Sequence, residues 1–218
     1  MSTAANVRDL LIATTNPHKI EEFRAILRDL PYHLVGPNDI GLDLEVEETG
    51  TTFAENARLK AVAYADASGL LALADDSGLE IDALGGEPGI YSARWAGEHV
   101  SYPERFTILF ARLRDVPPER RTARYRSAIA IAEPAPRGLI AEVEGVLEGR
   151  IAEEPRGSGG FGYDPIFYVP EMGRTVGEMS AEEKHRISHR ARAAAAARGV
   201  LEALAAGSPQ AAQPRTNI

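Results

Sequence analysis

An apolar run, LLALA at residues 70–74, leads straight into two adjacent carboxylates, Asp75 and Asp76. No other feature constrains the fold as strongly. A short apolar run bounded by turn formers reads as a buried strand. This one ends in charge, so it must deliver that charge to a place where something meets it. The sequence continues ADDSGLEIDALGGEPGIYSARWAG over residues 74–97, with Ser77-Gly78, Gly85-Gly86 and Pro88-Gly89 close behind. Two readings of Asp75-Asp76-Ser77-Gly78 follow. Asp, Ser and Gly all form turns, so the segment can be a strand-ending turn. It can also be a magnesium and water site at the strand's C-terminal end, where open α/β sheets place ligands. A divalent cation relieves the repulsion between neighbouring carboxylates, and a carboxylate can deprotonate an attacking water.

Strands and helices alternate around this feature. Residues 8–15, RDLLIATT, read as a strand. Asn16 then caps a helix with Pro17 at its first position, and Ile20, Phe23, Ile26, Leu27 and Leu30 follow at helical spacing, so the helix is predicted to reach about Asp29. Residues 32–36 suit a second strand. Thr52 and Glu55 have the form of a capping box ahead of an Ala-rich helix to Ser68. Ser101 starts another helix. Residues 122–133 and 139–147 alternate as an antiparallel pair with one wet face. Ser180 and Glu183 form a second capping box, opening one helix to about Ala205. This order predicts an α/β fold with a mixed sheet flanked by helices, in two lobes with a cleft between them. One domain is expected over residues 8–206, with flexible extensions at 1–7 and 207–218.

Composition narrows the function. Lys and Arg number 24 against 32 Asp and Glu in 218 residues, a net charge of −8. Such a balance disfavours a nucleic-acid polymer as partner, because that binding needs many cationic phosphate contacts. It leaves room for a small phosphorylated ligand in a local basic pocket. There is no cysteine, which removes disulfides and Cys-type zinc sites and fits a cytoplasmic protein. No apolar run is long enough to span a membrane, and Met-Ser-Thr-Ala-Ala-Asn lacks a secretory signal's pattern.

Further segments carry candidate chemistry. In Thr14-Thr15-Asn16-Pro17-His18-Lys19 a strand enters a helix whose N-terminus offers free N–H groups and a positive dipole end; the segment is either an anion site or an ordinary capped turn. GSGGFG at residues 157–162 matches Gly-x-Gly-x-x-Gly, but no strand leads into it and Pro165 follows where a helix should run, so it is not a dinucleotide-binding turn. It offers flexible backbone beside an aromatic, Phe161, which can stack on a base. His185 and His189 lie four apart, but Arg186 replaces the Glu of a zinc HExxH motif. A polar helix face explains most of that string, while Lys184, His189 and Arg190 can close a donor-rich pocket. Arg120, Arg121, Arg124 and Arg126 read as a solvated hairpin face rather than a basic patch.

In their order ATTNPHK, EETGTTFAENA, ADDSGLEIDALGGEPGIYSARWAG, GSGGFGYDPIF and EKHRISHR, these segments resemble the Ham1/RdgB-type non-canonical purine NTP pyrophosphatases, the inosine triphosphate pyrophosphatases. The resemblance spans residues 10–204. It implies a two-lobed α/β fold, a homodimer, and Mg²⁺-dependent hydrolysis of ITP, dITP and XTP to monophosphate and pyrophosphate. By position, Thr14, Thr15, Asn16, Pro17, His18 and Lys19 correspond to the phosphate-binding loop. Asp76 corresponds to the proton acceptor and a metal ligand, with Ser77 beside the substrate. Either Glu47 or Glu48 supplies the other metal ligand. Phe161, Gly162, Tyr163, Asp164, Lys184, His189 and Arg190 correspond to the base-recognition elements, and residues 92–94 support either the phosphates or the dimer. The chain departs from the family at Thr15, where glycine is frequent; a positive φ there would be costly for threonine. Two rivals remain: a nucleotide sensor that has lost its chemistry, and a pyrophosphatase for modified pyrimidine nucleotides of the Maf-like kind.

Overall fold

A computed structural model describes residues 7–97 and 99–207. Of the expected terminal extensions only Val7 and Gly207 fall among these; the rest lie outside the described residues. The described chain forms seven strands and five α-helices. The strands are β1 (Arg8–Ile12), β2 (Tyr32–Val35), β3 (Leu71–Ile81), β4 (Thr122–Glu133), β5 (Gly138–Ile151), β6 (Phe167–Val169) and β7 (Arg174–Thr175). They are hydrogen-bonded in the order β2-β1-β3-β4-β5-β6-β7. β1 runs parallel to β2 and β3, whereas β5–β6 and β6–β7 are antiparallel, so the sheet is mixed as the alternation predicts. The helices are α1 (Pro17–Ile26), α2 (Phe53–Ser68), α3 (Tyr102–Arg112), α4 (Ala181–Ile187) and α5 (His189–Ala205).

The chain divides into two compact units. Residues up to Asp76, 128–144 and from Ala193 onward form the first; 77–127 and 145–192 form the second. Each has its own core. In the first, Leu10, Ile12, Leu71, Leu73, Ile129 and Ile131 of the strands meet Phe23 and Leu27 at α1 and Ala193, Ala194, Ala197 and Leu201 of α5. Alanine is the best helix former and has almost no side chain, so α5 can lie close against the strands. The Tyr32 hydroxyl ties the same helix down by donating to the Leu201 carbonyl at 2.8 Å. The second core gathers Leu79, Ile81, Phe106, Leu109, Tyr125, Leu147, Ile166 and Phe167.

Several boundaries differ from the sequence reading. α1 ends at Ile26 rather than near Asp29, and β5 extends past Leu147 to Ile151. β4 has a half-wet face only over Thr122 to Arg126; from Ser127 to Glu133 it is buried on both faces. The largest correction concerns β3. It does not end at the Asp pair but continues through it to Ile81, so Asp75 and Asp76 are mid-strand, neither in a turn nor at a strand end. Both carboxylates have lysine partners, described below, and paired charges can stay in a buried strand.

The expected long C-terminal helix is two helices. Ser188 between them is extended (φ −61°, ψ 154°). Its N–H closes α4 on the Lys184 carbonyl at 2.9 Å, and its hydroxyl accepts the Ala191 N–H at 3.1 Å. One serine thus ends one helix and caps the next. His185 and His189 therefore do not share a helix.

Candidate active site

One constellation lies in the first unit. α2 begins at Thr52, whose hydroxyl accepts the Glu55 N–H at 3.1 Å. The Glu55 carboxylate reaches back one residue further than a capping box requires, accepting the Thr51 N–H at 2.6 Å. Further along, Asn56, Lys60 and Tyr64 recur every four residues and so share one face of the helix. Asn56 Oδ1 accepts the Gly50 N–H at 2.8 Å, and Tyr64 donates to the Leu44 carbonyl at 2.7 Å. These bonds hold the Glu47-Glu48 segment against α2. Gly50 allows the approach: a Cβ there would stand 2.6 Å from Asn56 Oδ1.

Lys60 is the hub. Its ammonium donates to Glu48 Oε1 at 2.7 Å, Asp76 Oδ1 at 2.9 Å and the Asp75 carbonyl at 3.1 Å. Asn56 Nδ2 reaches Asp76 Oδ2 at 3.4 Å. Lys19 Nζ pairs with Asp75 Oδ2 at 2.9 Å. Three carboxylates thus face two ammonium groups. Burial pushes the Asp76 carboxyl above its ordinary 3.8, and Glu48 adds to the rise; Lys60 and Lys19 pull against it without cancelling it. Burial alone would pull Lys60 down, but Asp76 and Glu48 outweigh it and hold the ammonium above its ordinary value.

Glu48 and Asp76 converge on one cationic point, and they sit where Mg²⁺ could take them as ligands. Mg²⁺ takes one or two carboxylates and completes its sphere with water and phosphate oxygens. Among the described residues no group of three His, Cys, Asp or Glu is placed to hold a metal; Glu48 and Asp76 are two carboxylates that share the Lys60 ammonium. Glu47 is exposed, whereas Asp76 is held by Asn56 and Lys60.

The Thr14–Lys19 segment is a tighter turn than expected. Asn16 Oδ1 accepts the His18 and Lys19 N–H groups at 3.0 and 3.4 Å, and Thr14 Oγ1 accepts the Asn16 N–H at 3.2 Å. Pro17 has no N–H. The backbone donors expected to be free are thus engaged by the cap, which leaves the helix dipole and the Lys19 ammonium as the positive elements. Thr15, Pro17 and His18 are exposed. Ala96 is the non-glycine residue with positive φ among those described, so Thr15 has a negative φ and carries no such strain.

A second constellation lies in the second unit. Gly160 is left-handed (φ +70°), and a Cβ there would collide with Asp164 Oδ2 at 2.0 Å. That closeness lets Asp164 reach back and accept the Phe161 N–H at 2.8 Å. The same oxygen pairs with Lys184 Nζ at 2.7 Å, and Oδ1 accepts the Tyr125 hydroxyl at 3.1 Å. Lys184 Nζ lies 4.5 Å from the centroid of the Phe161 ring, and the Arg190 guanidinium 5.7 Å. Arg190 also donates to the Ser77 hydroxyl at 2.9 Å. His189 stacks on Tyr125 with centroids 4.6 Å apart.

The structure therefore gathers Ser77, Phe161, Asp164, Lys184 and Arg190, with His189 held through Tyr125. Gly162 shapes the turn with φ +67°. Tyr163 faces the core instead: it packs on Tyr102 and Phe106, donates to the Ser92 carbonyl at 3.0 Å, and burial pushes its phenol up to about 12. Ser92 is likewise a brace, accepting the Leu79 N–H at 2.9 Å and donating to the Gly89 carbonyl at 2.6 Å. The sequence reading missed Lys60, Asn56 and Tyr125. The polar row at positions 56, 60 and 64 of an Ala-rich helix was the available signal for the first two.

The chain is similar to known proteins over most of its length. The chain is 53% identical over 186 residues to a dITP/XTP pyrophosphatase of Symbiobacterium thermophilum, covering 85% of this chain and 91% of that one. It is 47% identical over 197 residues to a dITP/XTP pyrophosphatase of Bacillus subtilis, covering 90% and 98%. Among solved structures, the Staphylococcus aureus Ham1 protein matches with a TM-score of 0.77 and 42% identity, over 92% of this chain and 99% of that one. The model of the Ham1 family matches residues 10–200. The chain belongs to the Ham1 family.

Proposed function

We propose that this protein hydrolyses the non-canonical purine nucleoside triphosphates dITP, XTP and ITP to monophosphate and pyrophosphate, and so cleanses the nucleotide pool. The observation that carries this reading is the Asp76 carboxyl, raised by burial and set with Glu48 around Lys60, in a chain half identical to dITP/XTP pyrophosphatases. A carboxylate with a raised pKa is a stronger base than an ordinary one.

Asp76 takes a proton from the water that attacks the α-phosphorus. The bond from that phosphorus to the bridging oxygen breaks, and pyrophosphate leaves. Lys19 and Lys60 exchange carboxylate partners for phosphate oxygens and meet the charge that develops on them. The α1 dipole assists from the Asn16 cap. Asp76 and Glu48 would hold Mg²⁺, which when bound neutralises phosphate charge and aligns the triphosphate.

Base choice follows from donors. Hypoxanthine and xanthine present a C6 carbonyl oxygen. Lys184 and Arg190 offer N–H groups to it, with Phe161 stacking on the ring. Adenine would set an amino group against those donors, and a mismatch of that kind discriminates by ~10⁴ or more. Guanine's additional 2-amino group must be disfavoured elsewhere in the pocket.

No helix among the described residues is long and apolar enough to cross a membrane. A homodimer and a cytoplasmic location complete the reading. Sedimentation tests the dimer, and a monomer at working concentration would remove it.

The test of function is pyrophosphate release from ITP, XTP, dITP, GTP, ATP and dTTP with Mg²⁺. Fast release from the first three alone is expected. Binding without release would favour the sensor, and preference for a pyrimidine would favour the Maf-like alternative.

A further inference from the structure

Tyr125 touches two parts of the base-recognition constellation at once. It lies on β4, 7% exposed, between two flat partners: Phe167 at 4.4 Å and His189 at 4.6 Å between centroids, inclined at 30° and 21°. Its hydroxyl donates to Asp164 Oδ1 at 3.1 Å. Asp164 is 2% exposed, and its other oxygen serves both Lys184 and the Phe161 N–H. One carboxylate thus sets the place of the ammonium and of the aromatic ring, and Tyr125 holds that carboxylate from the opposite oxygen. Burial keeps the phenol protonated far above neutral pH, with the Asp164 charge adding to the effect, so it stays a donor.

We propose that Tyr125 is a positioning residue for purine selection, fixing Asp164 through its hydroxyl and the His189 imidazole through its ring face. The proposal rests on the base-binding role proposed above for Phe161 and Lys184, and on the place of His189 among the base-recognition elements that the family resemblance implies. Without the hydroxyl, Asp164 can turn about its side-chain bonds, and Lys184 and the Phe161 turn move with it. A base pocket loosened by a fraction of an ångström loses discrimination before it loses turnover, because the reacting phosphorus is handled by Asp76 and the lysines of the other constellation.

The experiment measures kcat and KM for XTP, dITP and GTP in wild type, Tyr125→Phe, Lys184→Met and the double variant. Tyr125→Phe keeps the stack and removes only the donor. We expect KM for XTP and dITP to rise about five- to tenfold, kcat to stay within about twofold, and the preference over GTP to shrink. The double variant should be little worse than Lys184→Met, because both act through Asp164. Tyr125→Leu removes the stack as well and should relax selectivity further. Either variant carries the test once a cooperative melt shows it folded. Wild-type KM and selectivity in a folded Tyr125 variant would overturn the proposal, as would full additivity with Lys184→Met. Unchanged selectivity in Lys184→Met itself would instead remove the base-binding reading, and the proposal with it.

Discussion

Two lysines, Lys60 half-buried and Lys184 buried, mark the two constellations, and they are held in opposite ways. Lys60 is shared between carboxylates from separate segments, Glu48 and Asp76, and one of those carboxyls is raised rather than lowered by its surroundings. Lys184 pairs with Asp164, which is itself braced by Tyr125 and the Phe161 N–H. The first arrangement carries more negative than positive groups and suits an incoming cation. The second is a matched pair locked by neutral donors, and suits a fixed hydrogen-bonding pattern. Chemistry on phosphate needs charge that can be re-partnered; recognition of a base needs donors that do not move.

Removing each lysine should break the symmetry of that comparison. Lys184→Met leaves Asp164 buried without its cation, and such a loss typically costs about 3–5 kcal/mol. Urea denaturation should show it, with or without Mg²⁺. Lys60→Met sets Glu48 against Asp76 and should also destabilise, but millimolar Mg²⁺ should restore much of the loss by binding the folded state. Equal responses of the two variants to Mg²⁺ would erase the distinction.

The pH dependence sharpens it further. Burial lifts the folded-state pKa of Asp76 above 3.8. The folded protein therefore binds that proton more tightly than the unfolded chain does. Its contribution to stability is fully present below 3.8 and is lost as pH rises through the folded value. Activity runs the other way, since the base form exists only above that value. The acid limb of kcat should lie above the ordinary aspartate value of 3.8, and Glu48→Gln should move it down, because Glu48 raises Asp76. A limb that stays in place in Glu48→Gln would separate the two carboxylates.

The smallest effect is expected at the junction of α4 and α5. Ser188→Ala removes the cap on Ala191 and should cost about 1 kcal/mol in a denaturant titration. If stability is unchanged there, the hydroxyl does not position His189 and Arg190.

Local signals in the sequence located much of this. Asn16, Thr52, Ser101 and Ser180 each start a helix where side-chain chemistry says one should start. β4 spans the residues its alternation marks. What escaped depends on partners distant in the chain. Asp75 and Asp76 read as the end of a strand because two carboxylates in a buried strand are costly, and the lysines that relieve them lie 56 and 16 residues away. Lys60 was hidden in an Ala-rich helix, where a lone lysine ordinarily faces water. The break at Ser188 contains no Pro or Gly, so nothing local announces it. Tyr125 looked like one more residue on a half-buried strand, and only the fold sets it beside Asp164.

The most direct test of the central claim is hydrolysis of dITP in water enriched in heavy oxygen, by wild type and Asp76→Asn. Attack at the α-phosphorus under Asp76 predicts the label in dIMP, none in pyrophosphate, and a rate reduced by about 10²–10⁴ in the variant with dITP binding retained. Label in pyrophosphate would contradict the point of attack, and an undiminished rate in Asp76→Asn would contradict the base.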